Sequence, residues 1–98
     1  AANRIVAVTD AISAAGCADG DYQIGSLPVT VKNKVAKLSG TETLAGSTLT
    51  MLDAFYNFLS IVGFEQAVSY TSINPAKILN INPYAGYIGI KDREVTFL

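Results

Sequence analysis

The run RIVAVTDAISAAG, residues 4–16, limits what this chain can fold into more than any other stretch. Ile5, Val6, Ala7 and Val8 form an unbroken apolar series rich in β-branched side chains, the composition of a strand. Alternation is missing, so neither face of that strand is marked for water. Continuous apolar strands belong to parallel sheets covered by helices on both sides. A parallel strand needs parallel neighbours, reached through crossovers of a dozen or more residues. No second run of that kind follows before residues 28–38, which read as a hairpin. The sequence therefore predicts a strand over 4–9 whose neighbours lie before Ala1 or on another chain, as in the tail of a larger α/β protein. That strand ends on Thr9-Asp10, a hydroxyl and a carboxylate, followed by small residues and Gly16.

Composition narrows the function classes. Ninety-eight residues make at most one ordinary domain, and half of them are apolar while 15% are charged. This is globular material, not a disordered tail. It is apolar for its size, since a small domain leaves much of its surface exposed. A homo-oligomer, or a part of something larger, is expected on that ground. The net charge of −1 offers no basic face for nucleic acid. Lys32, Lys34 and Lys37 cluster on the expected hairpin and read as its solvated face. No apolar run approaches the ~20 residues of a membrane span, so no membrane partner is expected. The start of the chain lacks the basic and apolar regions of a signal peptide. Cys17 is the single cysteine, so no internal disulfide forms and a reducing cytoplasm is the expected location. With no histidine in the sequence, Ser–His and Cys–His catalysis within this chain are excluded. A self-contained zinc site lacks its commonest nitrogen ligand, and Cys17, with no base to activate it, reads as structural.

A pass along the chain gives the elements. Residues 10–20 read as a loop and DYQIG as a short strand. PVTVKNKVAKL reads as two strands around Asn33-Lys34, a tolerable two-residue turn. Gly40 closes that unit, and TETLAGST is a loop. Thr50 followed by Asp53 resembles a capping box, with Asp in place of Glu. Met51, Ala54, Phe55, Phe58, Leu59 and Val62 then fall on one helical face, and Gly63 suits a left-handed C-terminal stop. A second helix is predicted over 65–72 with Ala67, Val68 and Tyr70 inward. Asn74-Pro75 should restart helix, Asn as N-cap and Pro in first position, to about Leu79. After Pro83 the chain turns extended, and residues 88–90 and 95–98 are placed to pair about Asp92.

Three segments carry a resemblance. RIVAVTDAISAAG, TLAGSTLTMLDAFYNFL and EQAVSYTSINPAKIL, in this order, resemble the C-terminal third of N-acetylglucosamine-6-phosphate deacetylases, members of the metal-dependent amidohydrolase superfamily. Val-Thr-Asp-Ala at residues 8–11 and Leu-Ala-Gly-Ser-Thr-Leu-Thr-Met at 44–51, at this separation, are the more specific elements. Glu-Gln-Ala-Val and Asn-Pro-Ala-Lys-Ile-Leu are shared more widely among amidohydrolases. The likeness implies an α/β fold, the C-terminal portion of a distorted (β/α)8 barrel: its eighth strand at 4–9, a hairpin and the following helices over 1–82. A remnant of a small β-domain would occupy 83–98. Active sites of such barrels sit at the C-terminal ends of strands. The resemblance thus makes Asp10 the catalytic residue, general base toward a metal-bound water attacking the acetamide and then acid toward the departing sugar amine. It makes Leu44, Ala45 and Gly46 the substrate-binding loop over an N-acetylamino sugar phosphate. It implies a divalent metal, zinc or iron, in the complete enzyme. The family's other metal ligands lie on earlier strands, so this segment holds none unless Asp10 itself reaches the metal, and the chain alone is expected to be inactive and to bind no metal tightly. The family's C-terminal motif is altered here to GYIGIKDREVTFL, and its lead-in before Glu65 is shortened to VGFEQAV.

Read from residue types alone, Asp10 serves equally as an Asx turn or an N-cap over AISAA, and Leu44–Gly46 as a lead-in to the Thr50 helix. Two other functions remain at this point: a non-catalytic remnant that self-associates, and an amidohydrolase acting on a different acylated amine.

Overall fold

Asn33 and Lys34 turn the chain with both residues at positive φ, 52° and 64°. Two successive left-handed residues are the hairpin geometry whose twist matches the strands on either side. The computed structural model describes residues 2–82, 88–91 and 94–97; Pro83, Asp92 and Leu98 lie outside the described residues. Two compact units form, residues 8–54 in one and residues 1–7 with 55–98 in the other.

In the first unit, β1 (Gly20–Ile24), β2 (Leu27–Lys32) and β3 (Val35–Leu38) make an antiparallel sheet in the order β1-β2-β3. The register runs Tyr22↔Val29 and Val31↔Ala36. Alternation along β2 settles which face is inside. Val29, fully buried, and Val31 point into a core with Ala14, Ala36 and Ala45, with Ile12, Tyr22 and Leu38 packed against it. Thr30 points the other way, where its hydroxyl bonds Asp21 Oδ1 at 2.8 Å and shares a hydrogen with Ser39 Oγ at 2.8 Å. The hairpin tip is tied from both sides: Asn33 N donates to Asp19 Oδ2 at 2.9 Å, and the Thr48 hydroxyl donates to the Lys34 carbonyl.

Lys32 and Lys34 are exposed, while Lys37 pairs with Glu42. The Lys37 ammonium, by hydrogen bond and then by charge, holds the Glu42 carboxyl below its ordinary value. A carboxyl lowered in the folded state adds stability above its unfolded pKa and loses it as pH falls through the folded one. Glu42 is open to solvent, so screening leaves little of that effect.

Helix α1 spans Met51–Val62. Its N-terminus is the expected box: Asp53 N donates to Thr50 Oγ1 at 3.1 Å, and Thr50 N to Asp53 Oδ2 at 3.4 Å. Thr50→Ala is expected to lower stability by about 1 kcal/mol. A denaturation midpoint moved downward at constant slope would show it, and an unmoved midpoint would remove the box from the stabilising set. The buried face differs from the spacing argument at two positions. Ala54, Phe55 and Tyr56 are buried, whereas Met51 is exposed.

The second unit is helical. Phe55, Tyr56 and Ala67 form its core, with Phe58, Leu59, Val68 and Ile90 against them. Phe58 meets Tyr70 edge to face, centroids 5.2 Å apart. Gly63 does not adopt the left-handed stop. With φ 92° and ψ 175° it is a one-residue link, and α2 begins at once as Phe64–Val68. The chain then widens into a π turn, Ser69–Ile73, and continues as α3, Asn74–Leu79. Asn74 is therefore not an N-cap. Its backbone is helical, φ −65° and ψ −44°, and its N–H reaches Ser69 O, five residues back. The π turn is the reason Pro75 does not break the helix, since the wider ring leaves the proline room and asks no N–H of it. Asn80, left-handed at φ 54°, ends α3, with Ile81 N donating to Ala76 O at 3.0 Å. β4 (Ile88–Lys91) and β5 (Glu94–Phe97) pair antiparallel as expected, Ile90 opposite Val95.

The predicted strand over 4–9 is corrected. Ala2–Arg4 is a 3-10 turn and residues 5–10 join no ladder. A strand exists only through its neighbours, and among the described residues none pairs with this one. Residues 5–7 lie against the π turn instead. Ala7 N donates to Tyr70 O at 2.8 Å, the carbonyl to which Pro75 has no N–H to offer, and Asn74 Nδ2 donates to Ile5 O at 2.8 Å. Both sheets of the described residues are antiparallel. With its two sheets and its helices the chain is a small α/β protein. No helix of the described residues is long and apolar enough to cross a membrane.

Candidate functional site

Asp10 sits where the extended segment turns, at φ 53°, a conformation Asp tolerates better than most side chains. The local turn is closed by its neighbour, Ala11 N donating to Thr9 Oγ1 at 3.2 Å. Among the described residues the Asp10 carboxylate accepts no hydrogen bond, and the residue is exposed. Residues 13–16 form turns, with Ala15 N donating to Ile12 O and Cys17 N to Ala14 O, so there is no helix for Asp10 to cap. Neither structural alternative uses its side chain.

Leu44 and Ala45 form a short extended stretch that bends at Gly46, φ 81°, and is stitched between β3 and the Asp10 turn. On one side Leu38 N donates to Thr43 O and Ala45 N to Ala36 O, both at 2.9 Å, and Leu44 bridges Lys37 antiparallel. On the other side Ser47 N donates to Asp10 O at 3.0 Å and Ile12 N to Ser47 O at 2.9 Å. These two bonds make a parallel bridge between Ala11 and Ser47. Side chains alternate along the segment as in a strand. Ala45 enters the core, while Leu44 stands 68% exposed on the outside.

The two separate sequence features thus meet. Ser47 holds the Asp10 backbone, and Gly46 lies beside it. A methyl group at position 46 would fall 3.9 Å from Asp10 Oδ2, 3.3 Å from Asp10 O and 2.6 Å from Ile12 Cγ2. Leu44, Gly46, Ser47 and Leu49 also line a groove of about 270 Å³, which Lys34 and Asp53 complete with one charge of each sign. Asp10 is not part of that groove's lining. Ser47 and Ile12 are the members that residue types did not reveal. Backbone pairing across a long loop leaves no local signature, and only the glycine before Ser47 hinted that main chain comes close there.

A metal ion needs three or four convergent N, O or S donors. Among the described residues no three Cys, Asp or Glu side chains converge, so this segment's own donor set does not fit one. Cys17 is exposed, its sulfur 3.9 Å from Ser13 O, and takes no part in the Asp10 turn.

The geometry can be set beside known proteins. No family model matches the chain. The N-acetylglucosamine-6-phosphate deacetylase of Caenorhabditis elegans is 34% identical over 88 residues, 88% of this chain and 21% of that protein. The N-acetylgalactosamine-6-phosphate deacetylase of Escherichia coli O157:H7 is 34% identical over 88 residues, 23% of its length. Among solved structures, a mutant of the Mycobacterium smegmatis N-acetyl-D-glucosamine-6-phosphate deacetylase, in complex with N-acetyl-D-glucosamine-6-phosphate, superposes with a TM-score of 0.77. It is 34% identical, over 83% of this chain and 23% of that one. The chain spans about a fifth of the length of most of the curated relatives it matches.

Proposed function

We propose that this chain, which matches a segment of the N-acetylglucosamine-6-phosphate deacetylases, supplies the proton-handling carboxylate and the substrate loop of such an enzyme. The reaction is hydrolysis of N-acetylglucosamine 6-phosphate to glucosamine 6-phosphate and acetate. The observation that carries it is the meeting of Asp10 with Gly46 across the Ser47 bridge. A carboxylate that accepts no hydrogen bond among the described residues stands beside a glycine main chain that a substrate can approach.

The chemistry asks for such a group. Water adds its oxygen to the acetamide carbonyl carbon and must lose a proton as it does so. The C–N bond then breaks, acetate leaves with the water's oxygen, and the sugar nitrogen must gain a proton to depart as an amine. One carboxylate within reach of both atoms can accept the first proton and return it to the nitrogen. Asp10 is assigned both steps. Leu44, Ala45 and Gly46 are assigned to the sugar, Leu44 presenting apolar surface toward the acetyl end and the main chain of Ala45-Gly46 approaching the ligand. By the resemblance, a divalent metal, zinc or iron, would activate the water. Its ligands would come from residues outside this segment, and the steps assigned to Asp10 are written without it.

The same reading makes residues 1–82 the last part of a (β/α)8 barrel and residues 83–98 part of a small β-domain. Residues 4–9 would then gain the strand neighbours they lack here, with Asp10 at the C-terminal end of the eighth strand, where barrel active sites lie. Ile5 and Val8 are exposed; on a strand they fall on opposite faces, so a barrel would cover one from its interior and the other from its flanking layer. A cytoplasmic homo-oligomer completes the proposal.

The test uses the full-length protein carrying this segment, loaded with zinc or iron and given N-acetylglucosamine 6-phosphate. Acetate and primary amine should appear in equal amounts. Acetate from N-acetylgalactosamine 6-phosphate alone would keep the mechanism and change the sugar, a substrate choice one relative's name supports. A folded, metal-loaded protein that releases acetate from neither would sink the proposal.

A further inference from the structure

We propose that Gly46 is a positioning residue for Asp10: the absence of a side chain at 46 is what lets the Ser47 bridge hold Asp10 in its left-handed turn with the carboxylate free. The inference rests on the catalytic reading of Asp10 and goes beyond it, because a glycine in a substrate loop is otherwise explained by the ligand's approach.

Three observations converge on it. Asp10 has φ 53°, and a non-glycine residue keeps such a backbone only when its surroundings impose it. The imposing bonds are Ser47 N to Asp10 O at 3.0 Å and Ile12 N to Ser47 O at 2.9 Å, one on each side of Ala11. Gly46 immediately precedes the residue that makes both, at φ +81°, where a side chain is strained whatever the space. The space is missing as well. A Cβ at 46 would lie 2.6 Å from Ile12 Cγ2, far inside van der Waals contact, and 3.3 Å from the very carbonyl that Ser47 holds. Ile12 cannot yield freely, since it packs against the core formed by Ala14, Val29 and their neighbours. Any residue but glycine therefore pushes on Ile12, on the Asp10 carbonyl, or on both. A substrate-approach role alone would not require the methyl to collide with the Asp10 turn.

The experiment compares kcat and KM of the full-length enzyme and its Gly46→Ala variant, well below the variant's melting transition, with Asp10→Asn alongside. A general base displaced by a fraction of an ångström to one ångström loses about 10–100-fold in rate. Gly46→Ala is thus expected to lose that much kcat with KM changed by less than about threefold. The double variant Ile12→Ala/Gly46→Ala, which removes the worst contact, should regain several-fold of kcat over Gly46→Ala. A loss confined to KM would assign Gly46 to substrate approach only and overturn the inference, as would an unchanged kcat or a double variant no better than the single. Normal turnover in Asp10→Asn would instead overturn the catalytic reading beneath it, so the two failures are distinct. Should Gly46→Ala not fold, hydrogen exchange on the wild-type protein decides: the Ile12 and Ser47 amides should be protected, and exchange at open-loop rates at both would remove the clamp and the proposal together.

Discussion

Asp10→Asn in the full-length protein should keep the fold and most of the substrate affinity and lose turnover by ~10²–10⁴-fold, the usual loss when a general base is removed. The structure makes the substitution clean. Asn fills the same volume, tolerates a left-handed backbone as well as Asp does, and the bond that holds the turn is made by the Asp10 carbonyl, not its side chain. Because the carboxylate accepts no hydrogen bond among the described residues, replacing it leaves no protein donor unpaired. What the amide cannot do is take a proton from water. The expected signature is a fall in kcat with KM nearly unchanged, at a melting temperature close to that of the parent. Turnover within a few-fold of normal would return Asp10 to the role of a turn residue, and with it the resemblance would lose its catalytic content. A large drop in melting temperature would show that the carboxylate has structural partners in the complete protein.

How much of this could be read from the residues depends on where each element's determinants lie. The Asn33-Lys34 turn and the Thr50/Asp53 box are local, each settled within four residues, and both stand in the structure as expected. The β4–β5 pairing is nearly as local. The strand over 4–9 is the opposite case, for its apolar run describes a place between neighbours, and none of the described residues takes that place. Asn74-Pro75 misled for another reason. The pair is the standard start of a helix, and nothing in residue type distinguishes that from a π turn that carries the helix through a proline. Once the turn exists, the freed Tyr70 carbonyl and the Asn74 amide find partners on residues 7 and 5, which no periodicity could indicate. For the site, Asp10 and Leu44–Gly46 were reached only through family likeness. Their proximity was not legible, since it rests on two backbone bonds made by Ser47.

The 98-residue chain by itself should sediment as a dimer or larger at micromolar concentration, through its helical surface and not through its first residues. The apolar excess in the sequence called for an interface, and the strand over 4–9, with neighbours expected before Ala1 or on another chain, was a natural place for it. The structure moves that expectation. Residues 5 and 7 already give their inward backbone groups to Asn74 and Tyr70 of the same chain, so that edge is partly closed. Ile5 and Val8 keep open side chains there, but more of the large open apolar side chains lie on the helices: Phe64 is 61% exposed at the start of α2, Ile78 and Leu79 are 71% and 67% exposed at the end of α3, and Ile81 follows at 58%. A protein seldom leaves apolar surface beyond a few hundred Å² to water, and burying each such side chain is worth ~1.5–3 kcal/mol before the costs of association. If the chain is part of a full-length deacetylase, as proposed, that surface would meet the rest of the fold; in the isolated chain a second copy is the available cover. Phe64→Ser/Ile78→Ser should therefore shift the sedimentation profile to monomer with helix content kept, while Val8→Ser, on the exposed side of the N-terminal segment, should leave association unchanged. Dissociation by Val8→Ser would restore the strand interface, and a stable wild-type monomer would mean that the two units close their cores without any partner.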